Sequence, residues 1–299
     1  MKILHNAIGV IALVAVLSPS LLAQWPPFPV PGVPRTPTGE PNLSAPAPRT
    51  ADGKPDLSGI WQNPRPPAGE GPGFLSGNVG GAAGAPPVGP PAARPPAPAA
   101  TTADGPPAAT FRNVGAGFKE GLPLQPWAAD LVKKRMADNS KDNPDAHCLP
   151  MGFMQFHMHP QPRKIIQTPG VIVVIYEANS GLRQIFTDGR PLPGKDAEPW
   201  WYGYSVGKWD GDTLVVETTG FIDGVWLDIN GNPLTDAAKV TERFRRVNYG
   251  NLEIEITVDD SKAYTKPWTV KVNQRIMLDT ELIEFICEER DATHYVGGK

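Results

Sequence analysis

The chain has 299 residues, with 28 basic and 31 acidic side chains and a formal net charge of −3. A mildly acidic chain without a block of Lys and Arg argues against nucleic acid as the main partner, because phosphate binding needs clustered positive charge. The sequence contains no G-x-G-x-x-G or P-loop motif, and its serines show no obvious partnership with a His and an Asp. Nucleotide-binding folds and serine hydrolases are therefore disfavoured.

Residues 1–23 have the pattern of a secretory signal peptide. Lys2 gives a basic start, an apolar run covers residues 7–17, and small residues lead to Ala23. The apolar run is too short to span a bilayer, and no later stretch is long and apolar enough. The sequence predicts export to the periplasm or beyond, cleavage near Ala23, and no membrane insertion of the mature chain.

Cys148 and Cys287 are the only two cysteines. In an oxidising compartment such a pair most simply forms one disulfide. Closing so long a loop contributes about 4–5 kcal/mol in the chain-entropy account. We therefore predict a structural disulfide rather than a thiol nucleophile.

Residues 24–110 form a proline-rich arm that carries 23 of the 36 prolines. This composition buries too little apolar surface to offset its ordering entropy, which predicts polyproline II or disorder. Within the arm, Pro34–Ser44 returns as Pro48–Ser58, and only the second copy continues into Gly59-Ile60-Trp61. Residues 56–61 are interpreted as a short docking segment. The first copy is either a duplicate within a linker or a second docking element.

Residues 111–163 are predicted to hold one helix and an irregular linker. Pro126–Met136 is the helix, because proline suits the first turn and Trp127 and Leu131 form an apolar stripe. The following segment, HCLPMGFMQFHMHPQP, is predicted to be irregular because prolines bracket it.

Residues 164–290 are predicted to be mainly β, an antiparallel meander closing into a lipocalin-like barrel. Eight or nine short alternating runs with turn signals between them favour a barrel, with a β-sandwich as the alternative. The candidate strands are Lys164–Thr168, Val171–Glu177, Leu182–Thr187, Trp200–Lys208, Asp212–Thr219, Val240–Val247, Leu252–Val258, Trp268–Met277 and Glu281–Glu288.

The stretch Trp200–Phe221 holds the densest aromatic cluster and reads as one hairpin closed at Asp210-Gly211. This two-residue loop predicts a register with Tyr204 opposite Glu217. Tyr202, Tyr204 and Glu217 then share one face of the hairpin. Which face points into the barrel stays open at this stage. The crowded aromatics are either barrel core or a stacking platform for a flat ligand.

A second hairpin brings two further charged residues onto one face. A three-residue loop, Tyr249-Gly250-Asn251, predicts Glu242 opposite Val258 and Arg246 opposite Ile254, on the more apolar face. The two side chains either line a pocket or pair with each other in the barrel wall.

Three kinds of site follow from these patterns. The candidate ligand-binding residues are Tyr202, Tyr204, Glu217, Trp226 and Arg246. A hydrolase or lyase acting on polysaccharide would use Glu217 and Glu242 as acid and base or nucleophile, with Tyr204. A divalent metal would use His147, His157 and His159, since a His-x-His pair on an extended segment points both rings to one side. No other cofactor is predicted.

Several motifs resemble a family of exported bacterial proteins that has no assigned activity. They are PRTADGKPDLSGIW, CLPMG, IIQTPG, IFTDGRPLP, GYSVGKWDGDTLVVETTGF, VTERFRR and AYTKPWT. The resemblance covers roughly Pro48 to Cys287. Gly59-Ile60-Trp61 also resembles the Gly-x-Trp motif of lipocalins, although Pro64, Pro66 and Pro67 shorten the strand. The second resemblance implies that Trp61 closes the floor of a ligand-binding barrel.

The leading hypothesis is an exported protein that binds a small apolar, aromatic or glycan-derived ligand in a barrel cavity. The alternatives are the polysaccharide hydrolase or lyase and a structural envelope protein. The observation that separates them is whether the barrel encloses a cavity and which of Tyr204, Glu217, Glu242 and Arg246 line it. An open cleft with paired carboxylates would favour the enzyme. A filled core would favour the structural role. The oligomeric state is left open.

Overall fold

The structure, a computed structural model, describes residues 29–64, 105–194, 196–285 and 287. The predicted signal peptide and the part of the arm from residue 65 to residue 104 lie outside the described residues. Within these residues the α-helices are α1 (Pro126–Ala137) and α2 (Phe153–Met158), and short 3-10 helices cover Pro144–His147 and Ala178–Ser180. The strands are β1 (Gly59–Gln62), β2 (Arg163–Thr168), β3 (Val171–Tyr176), β4 (Leu182–Phe186), β5 (Tyr204–Asp210), β6 (Thr213–Thr219), β7 (Val225–Trp226), β8 (Pro233–Leu234), β9 (Lys239–Asn248), β10 (Asn251–Asp259) and β11 (Trp268–Met277).

Nine strands close into a barrel in the order β1-β11-β10-β9-β6-β5-β4-β3-β2, and β7 and β8 form a separate pair. The prediction of a mainly β chain that closes into a barrel is confirmed. All neighbours in the barrel are antiparallel except β4 and β5, which run parallel. Strand direction cannot alternate all the way round a ring with an odd number of strands, so the ninth strand forces one parallel pair.

The strand that closes the barrel comes from the arm. β1 lies between β11 and β2, with Ile60 opposite Met277 on one side and Lys164 on the other. The predicted strand Glu281–Glu288 is wrong, because residues 281–285 form no strand. Trp61 is completely buried in the core. The short run GIW, which reads as a docking segment, is therefore an integral strand.

The described part of the arm, residues 29–64, has a defined structure rather than disorder. The two sequence repeats fold in the same way: Arg35 donates to the Gly39 carbonyl at 2.7 Å, and Arg49 donates to the Gly53 carbonyl at 2.8 Å. The first copy also docks on the barrel, since the Leu43 carbonyl accepts from the Gly250 amide at 2.9 Å. The interpretation of this copy as a docking element is the one that agrees with these contacts.

The turn between β5 and β6 consists of Gly211 and Asp212, so the predicted register is wrong. Asp210 lies opposite Thr213, which places Tyr204 opposite Thr219 and Glu217 opposite Val206. The predicted grouping of residues by face is still correct. The partner of each β5 residue on β6 lies two positions later than predicted, and residues two positions apart on a strand share a face. The inward face carries the completely buried Val216 and Thr218. Tyr204 and Glu217 therefore lie on the outside of the barrel.

The β9–β10 turn is also shorter than predicted. Tyr249 and Gly250 form it, and a bulge between Asn251 and Leu252 shifts the pairing. Glu242 lies opposite Ile256 and Arg246 opposite Leu252. Both side chains are buried, so their predicted position on the apolar, inward face is confirmed.

The helix α2 fills part of the barrel. All six of its residues are buried. Phe156 stacks on Tyr176 of β3 at 4.4 Å between ring centroids, and Phe153 lies 4.2 Å below the guanidinium of Arg183 on β4. The sequence predicts no regular structure here, because a six-residue helix that is buried all round shows no amphipathic period.

The predicted helix at Pro126 and the predicted disulfide are both confirmed. Cys148 and Cys287 are bonded, with their Cα atoms 5.5 Å apart. The bond ties the C-terminal segment to the loop that precedes α2. None of the helices in the described part of the chain is long and apolar enough to cross a membrane.

Candidate ligand-binding groove

A groove of about 310 Å³ opens along the seam between β4 and β5. The two strands pair only at Ile185 with Ser205 and at Phe186 with Val206, and they separate beyond these pairs. The outward side chains of β4 form one wall, and the residues that precede β5 form the other. The groove is lined by Pro150, Leu182, Arg183, Gln184, Phe186, Trp200, Trp201, Tyr202, Gly203, Tyr204 and Ser205.

Gly203 explains why the aromatic residues leave the sheet at this point. Its φ is +65°, and a Cβ atom here would lie 2.6 Å from Cγ2 of Thr218. An L-residue rarely adopts this backbone conformation, so the strand predicted to start at Trp200 starts after Gly203 instead. Trp200 is held separately, with its amide donating to the Gly220 carbonyl at 2.8 Å. Residues 200–202 therefore form a wall beside the barrel.

Three aromatic rings form a continuous surface along the groove. Tyr204 stacks on Phe186 at 5.1 Å between centroids and meets Trp200 at 5.2 Å. Arg190 lies 3.8 Å over the Phe186 ring and donates to the Tyr204 hydroxyl at 3.1 Å. Asp188 holds Arg190 through an ion pair of 2.6 Å, and this hydrogen bond lowers the pKa of Asp188. The rings are thus fixed before any ligand arrives.

The floor of the groove is polar and buried. Arg183 donates to the Ser205 hydroxyl at 3.1 Å and to the Thr218 hydroxyl at 3.0 Å. It also donates to both carboxylate oxygens of Glu242. Since Nε, Nη1 and Nη2 all have partners in the protein, Arg183 is a structural component of the floor rather than an unpaired cation.

Glu242 is completely buried, and its charge is balanced inside the barrel. Burial alone would raise its pKa, but the charge of Arg183 and hydrogen bonds from His157 and Arg183 outweigh burial and lower the pKa to about 2. His157 lies 2.9 Å from Glu242 through Nε2. Burial lowers the pKa of His157, so the neutral ring donates its Nε2–H to the carboxylate. Glu242 is ionised near neutral pH and has no proton to give as a general acid.

The two glutamates predicted as a catalytic pair lie on opposite sides of the barrel wall. On the neighbouring strands β6 and β9, Glu217 is opposite Thr241 and Glu242 is opposite Val216. Glu217 points outward, where it forms an exposed ion pair with Lys239. The structure does not bring the two carboxylates together around one substrate.

Arg246 holds the arm rather than lining the groove. It donates to the carbonyls of Tyr249 at 2.6 Å and Ser58 at 3.3 Å, and to that of Asp56. Its guanidinium also lies 4.9 Å from the ring of Trp61. Burial lowers the pKa of Arg246 to about 10. These contacts join residues 56–58 of the arm to the β9–β10 turn at this end of the barrel.

Trp226 lies apart from the groove. It is buried, and the guanidinium of Arg135 stacks 4.2 Å from its ring. A separate cavity of about 180 Å³ adjoins it, lined also by residues of α1. Trp226 therefore does not share a site with Tyr202 and Tyr204.

The three histidines do not converge. His147 is exposed and contacts the Lys141 carbonyl at 2.9 Å, while His159 accepts from the Gln161 amide at 3.3 Å. Burial and the nearby charge of Arg163 lower the pKa of His159 to about 3. The segment is helical at His157 rather than extended, which separates the two rings of the His-x-His pair. Among the described residues, no group of three or more His, Cys, Asp or Glu side chains could hold a metal.

Of the predicted ligand-binding residues, the groove unites Tyr202 and Tyr204. It adds Phe186 and Gln184, which the sequence analysis missed. The alternation of Leu182, Gln184 and Phe186 marks one face of β4. No local pattern, however, pairs β4 with β5 across the long connection at residues 187–203.

Comparison with known proteins assigns no family. No family model, no curated protein and no solved structure matches the chain. The resemblances to exported bacterial proteins and to the lipocalin motif stay predictions from the sequence.

Proposed function

We propose that the protein binds a small ring-shaped ligand in the groove between β4 and β5. The observation that carries this proposal is the fixed aromatic surface of Phe186, Tyr204 and Trp200. Trp200 remains 37 % exposed and Leu182 51 % exposed. The volume of about 310 Å³ lies at the lower end of the range of about 300–1,000 Å³ for small-molecule sites.

The energetics of such a surface support binding. Covering apolar area removes it from water at about 25 cal/mol per Å². Stacking on an aromatic ring adds about 0.5–1.5 kcal/mol beyond this area effect. Because Arg190 already holds Tyr204 and Phe186, a ligand loses little free energy to ordering the wall.

The lumen is a poorer place for a ligand than the groove. The six residues of α2 are buried there. Arg183 and Glu242 are paired with each other, so neither charge is left for a ligand. This differs from the hypothesis of a lipocalin-like cavity, in which the ligand lies inside the barrel.

Export is part of the proposal. The predicted signal peptide and the disulfide between Cys148 and Cys287 support a protein that works in an oxidising compartment. A ligand would then come from the envelope or from the surroundings of the cell.

The test is a screen of ring-bearing compounds against the wild-type protein, followed by titration of each hit into variants. Trp200→Ala and Tyr204→Ala should weaken every hit at least about tenfold, which equals about 1.4 kcal/mol. Trp127→Ala is the matched control, because Trp127 is a 46 % exposed tryptophan on α1 that does not line the groove. Hits that bind all three variants equally would contradict the proposal.

A structural role in the envelope is the second candidate, favoured by the filled lumen and the docked arm. Leu43 and Ala45 of the arm both accept hydrogen bonds from the β9–β10 turn. For this role, deletion of residues 24–47 should change the location of the protein in fractionated cells and leave the barrel folded. Unchanged fractionation would remove this candidate.

A further inference from the structure

We infer that the ligand of the groove is a neutral carbohydrate chain. This inference rests on the proposed function and names its ligand class. Four features of the groove support a row of sugar rings over a flat apolar molecule: its open side, its polar edge, its length and its balanced charge.

The groove offers one stacking face and leaves the other side to water. Its aromatic wall is on the outside of the barrel, and Trp200 and Leu182 stay substantially exposed. A flat apolar ligand would keep half of its apolar surface in water, which forfeits much of the hydrophobic gain. A pyranose ring has an apolar C–H face to stack and a rim of hydroxyls that stay hydrated. A one-sided groove therefore suits a sugar better.

Polar groups border the aromatic surface where the hydroxyls of a stacked sugar would lie. Gln184 is exposed and lies between Leu182 and Phe186 on β4, and its amide provides both donors and an acceptor. The Tyr204 hydroxyl accepts from Arg190 at 3.1 Å, so its own proton is directed toward other acceptors. A hydroxyl is donor and acceptor at once and can pair with either group.

The length of the groove favours a chain over a single ring. The lining residues of β4 run from Leu182 to Phe186, which spans about 13 Å at about 3.3 Å per residue. Aromatic side chains lie along this length: Trp200 is exposed and Tyr204 is partly exposed, and their ring centroids lie 5.2 Å apart. More than one ring of an oligosaccharide can therefore stack.

The charges around the groove favour a neutral ligand. Among the described residues, the two cations that border it are already paired, Arg190 with Asp188 and Arg183 with Glu242. An acidic sugar would find no unpaired partner in either residue, and a cationic ligand would have to compete with an arginine for each carboxylate.

The test is calorimetric titration of the whole mature protein with cellohexaose, xylohexaose and chitohexaose. Indole is the flat apolar probe, and a proline-rich peptide tests the alternative of an extended polypeptide. At least one hexasaccharide should bind, at least about tenfold more tightly than its monosaccharide, because several rings stack. Trp200→Ala should abolish this binding and Gln184→Ala should weaken it several-fold, while Trp127→Ala should leave it unchanged. Circular dichroism of each variant establishes that the barrel is folded.

The other outcomes separate this inference from the proposed function. If indole binds in a Trp200-dependent way and none of the hexasaccharides does, the carbohydrate inference is overturned and the ring-binding proposal stands. Binding of the proline-rich peptide alone would also overturn the inference. If neither sugar, indole nor peptide binds the wild-type protein, both proposals fail.

Discussion

The two faces of the sheet formed by β4, β5 and β6 differ in the kind of side chain they carry and in whether those side chains have partners within the protein. The inward face carries Arg183, Ser205 and Thr218, whose hydrogen bonds are closed within the barrel. The outward face carries the aromatic rings of Phe186 and Tyr204, which remain partly open to water. Buried charged residues often mark a catalytic site, but here Arg183 and Glu242 pair with each other and stabilise the fold. The aromatic residues, which usually form a core, are left available for a ligand.

The sharpest form of this comparison is Glu242 against Glu217. They lie on neighbouring strands, one completely buried and one with 42 % of its side chain exposed. Glu242→Ala leaves the guanidinium of Arg183 buried without its counter-charge, so we expect the free energy of unfolding to fall by about 3–5 kcal/mol. Chemical denaturation followed by tryptophan fluorescence measures this loss.

Glu217→Ala is the matched control for that experiment. Its partner Lys239 is exposed and remains hydrated when the pair is broken, so the expected change is below about 1 kcal/mol. Equal losses for the two variants would contradict the division between a structural interior and an exposed exterior.

The buried histidines make the interior sensitive to acid. The pKa of His157 is lowered, and that of His159 is lowered to about 3, both mainly by burial. Below about pH 6.5 the unfolded chain therefore binds protons that the folded chain does not, and stability falls as the pH falls. Between about pH 7 and pH 5 we expect a loss of about 2 kcal/mol for each ring that stays neutral.

Denaturation curves at several pH values check this expectation. His159→Asn keeps an acceptor for the Gln161 amide and does not titrate, so it should remove the loss of about 2 kcal/mol that His159 contributes over this range. Glu242 adds a further loss below about pH 4.5, because its folded pKa is about 2. A stability that is flat between about pH 7 and pH 5 would contradict this expectation, because it would show that both rings titrate in the folded state as they do in the unfolded chain.

Gly203 connects the two faces, and its substitution should cost less stability than loss of the buried Glu242 carboxylate. Gly203→Ala would place a Cβ atom 2.6 Å from Thr218 in a backbone conformation with φ of +65°, at a cost of about 2 kcal/mol. Because the wall of residues 200–202 must move, ligand affinity should fall as well. Thermal unfolding and ligand titration of the same variant measure the two effects.

Gly211→Ala separates backbone strain from crowding. Gly211 also has a positive φ, of +57°, but no atom lies within 4 Å of its added Cβ. The expected cost is about 1 kcal/mol from the backbone alone, with ligand affinity unchanged. Loss of affinity in Gly211→Ala would contradict this, because it would show that affinity responds to a change outside the groove.

The sequence predicts the barrel well because its strands are long enough to show their alternation. Trp268–Met277 is found with the predicted bounds, and both glycine-containing hairpin turns lie within a residue of their predicted places. The inward position of Glu242 and Arg246 also follows from the pattern, since a two-residue shift in pairing leaves the faces unchanged.

The missed elements share a physical cause: each depends on contacts between distant parts of the chain. β1 has four residues and gains its place from β2 and β11. The six-residue helix α2 is stabilised by packing inside the barrel. The groove exists because β4 and β5 meet after a connection of more than fifteen residues. Neither periodicity nor turn chemistry carries this information.

The central claim is that ligand binds on the outer wall of the barrel and not in its lumen. The most direct measurement is the change in the indole N–H chemical shifts of the eight tryptophans when a binding ligand is titrated into the protein. We expect large shifts for Trp200 and Trp201, and none for Trp61 and Trp268, which are buried in the core. Shifts confined to Trp61 and Trp268 would place the ligand in the lumen and contradict the account.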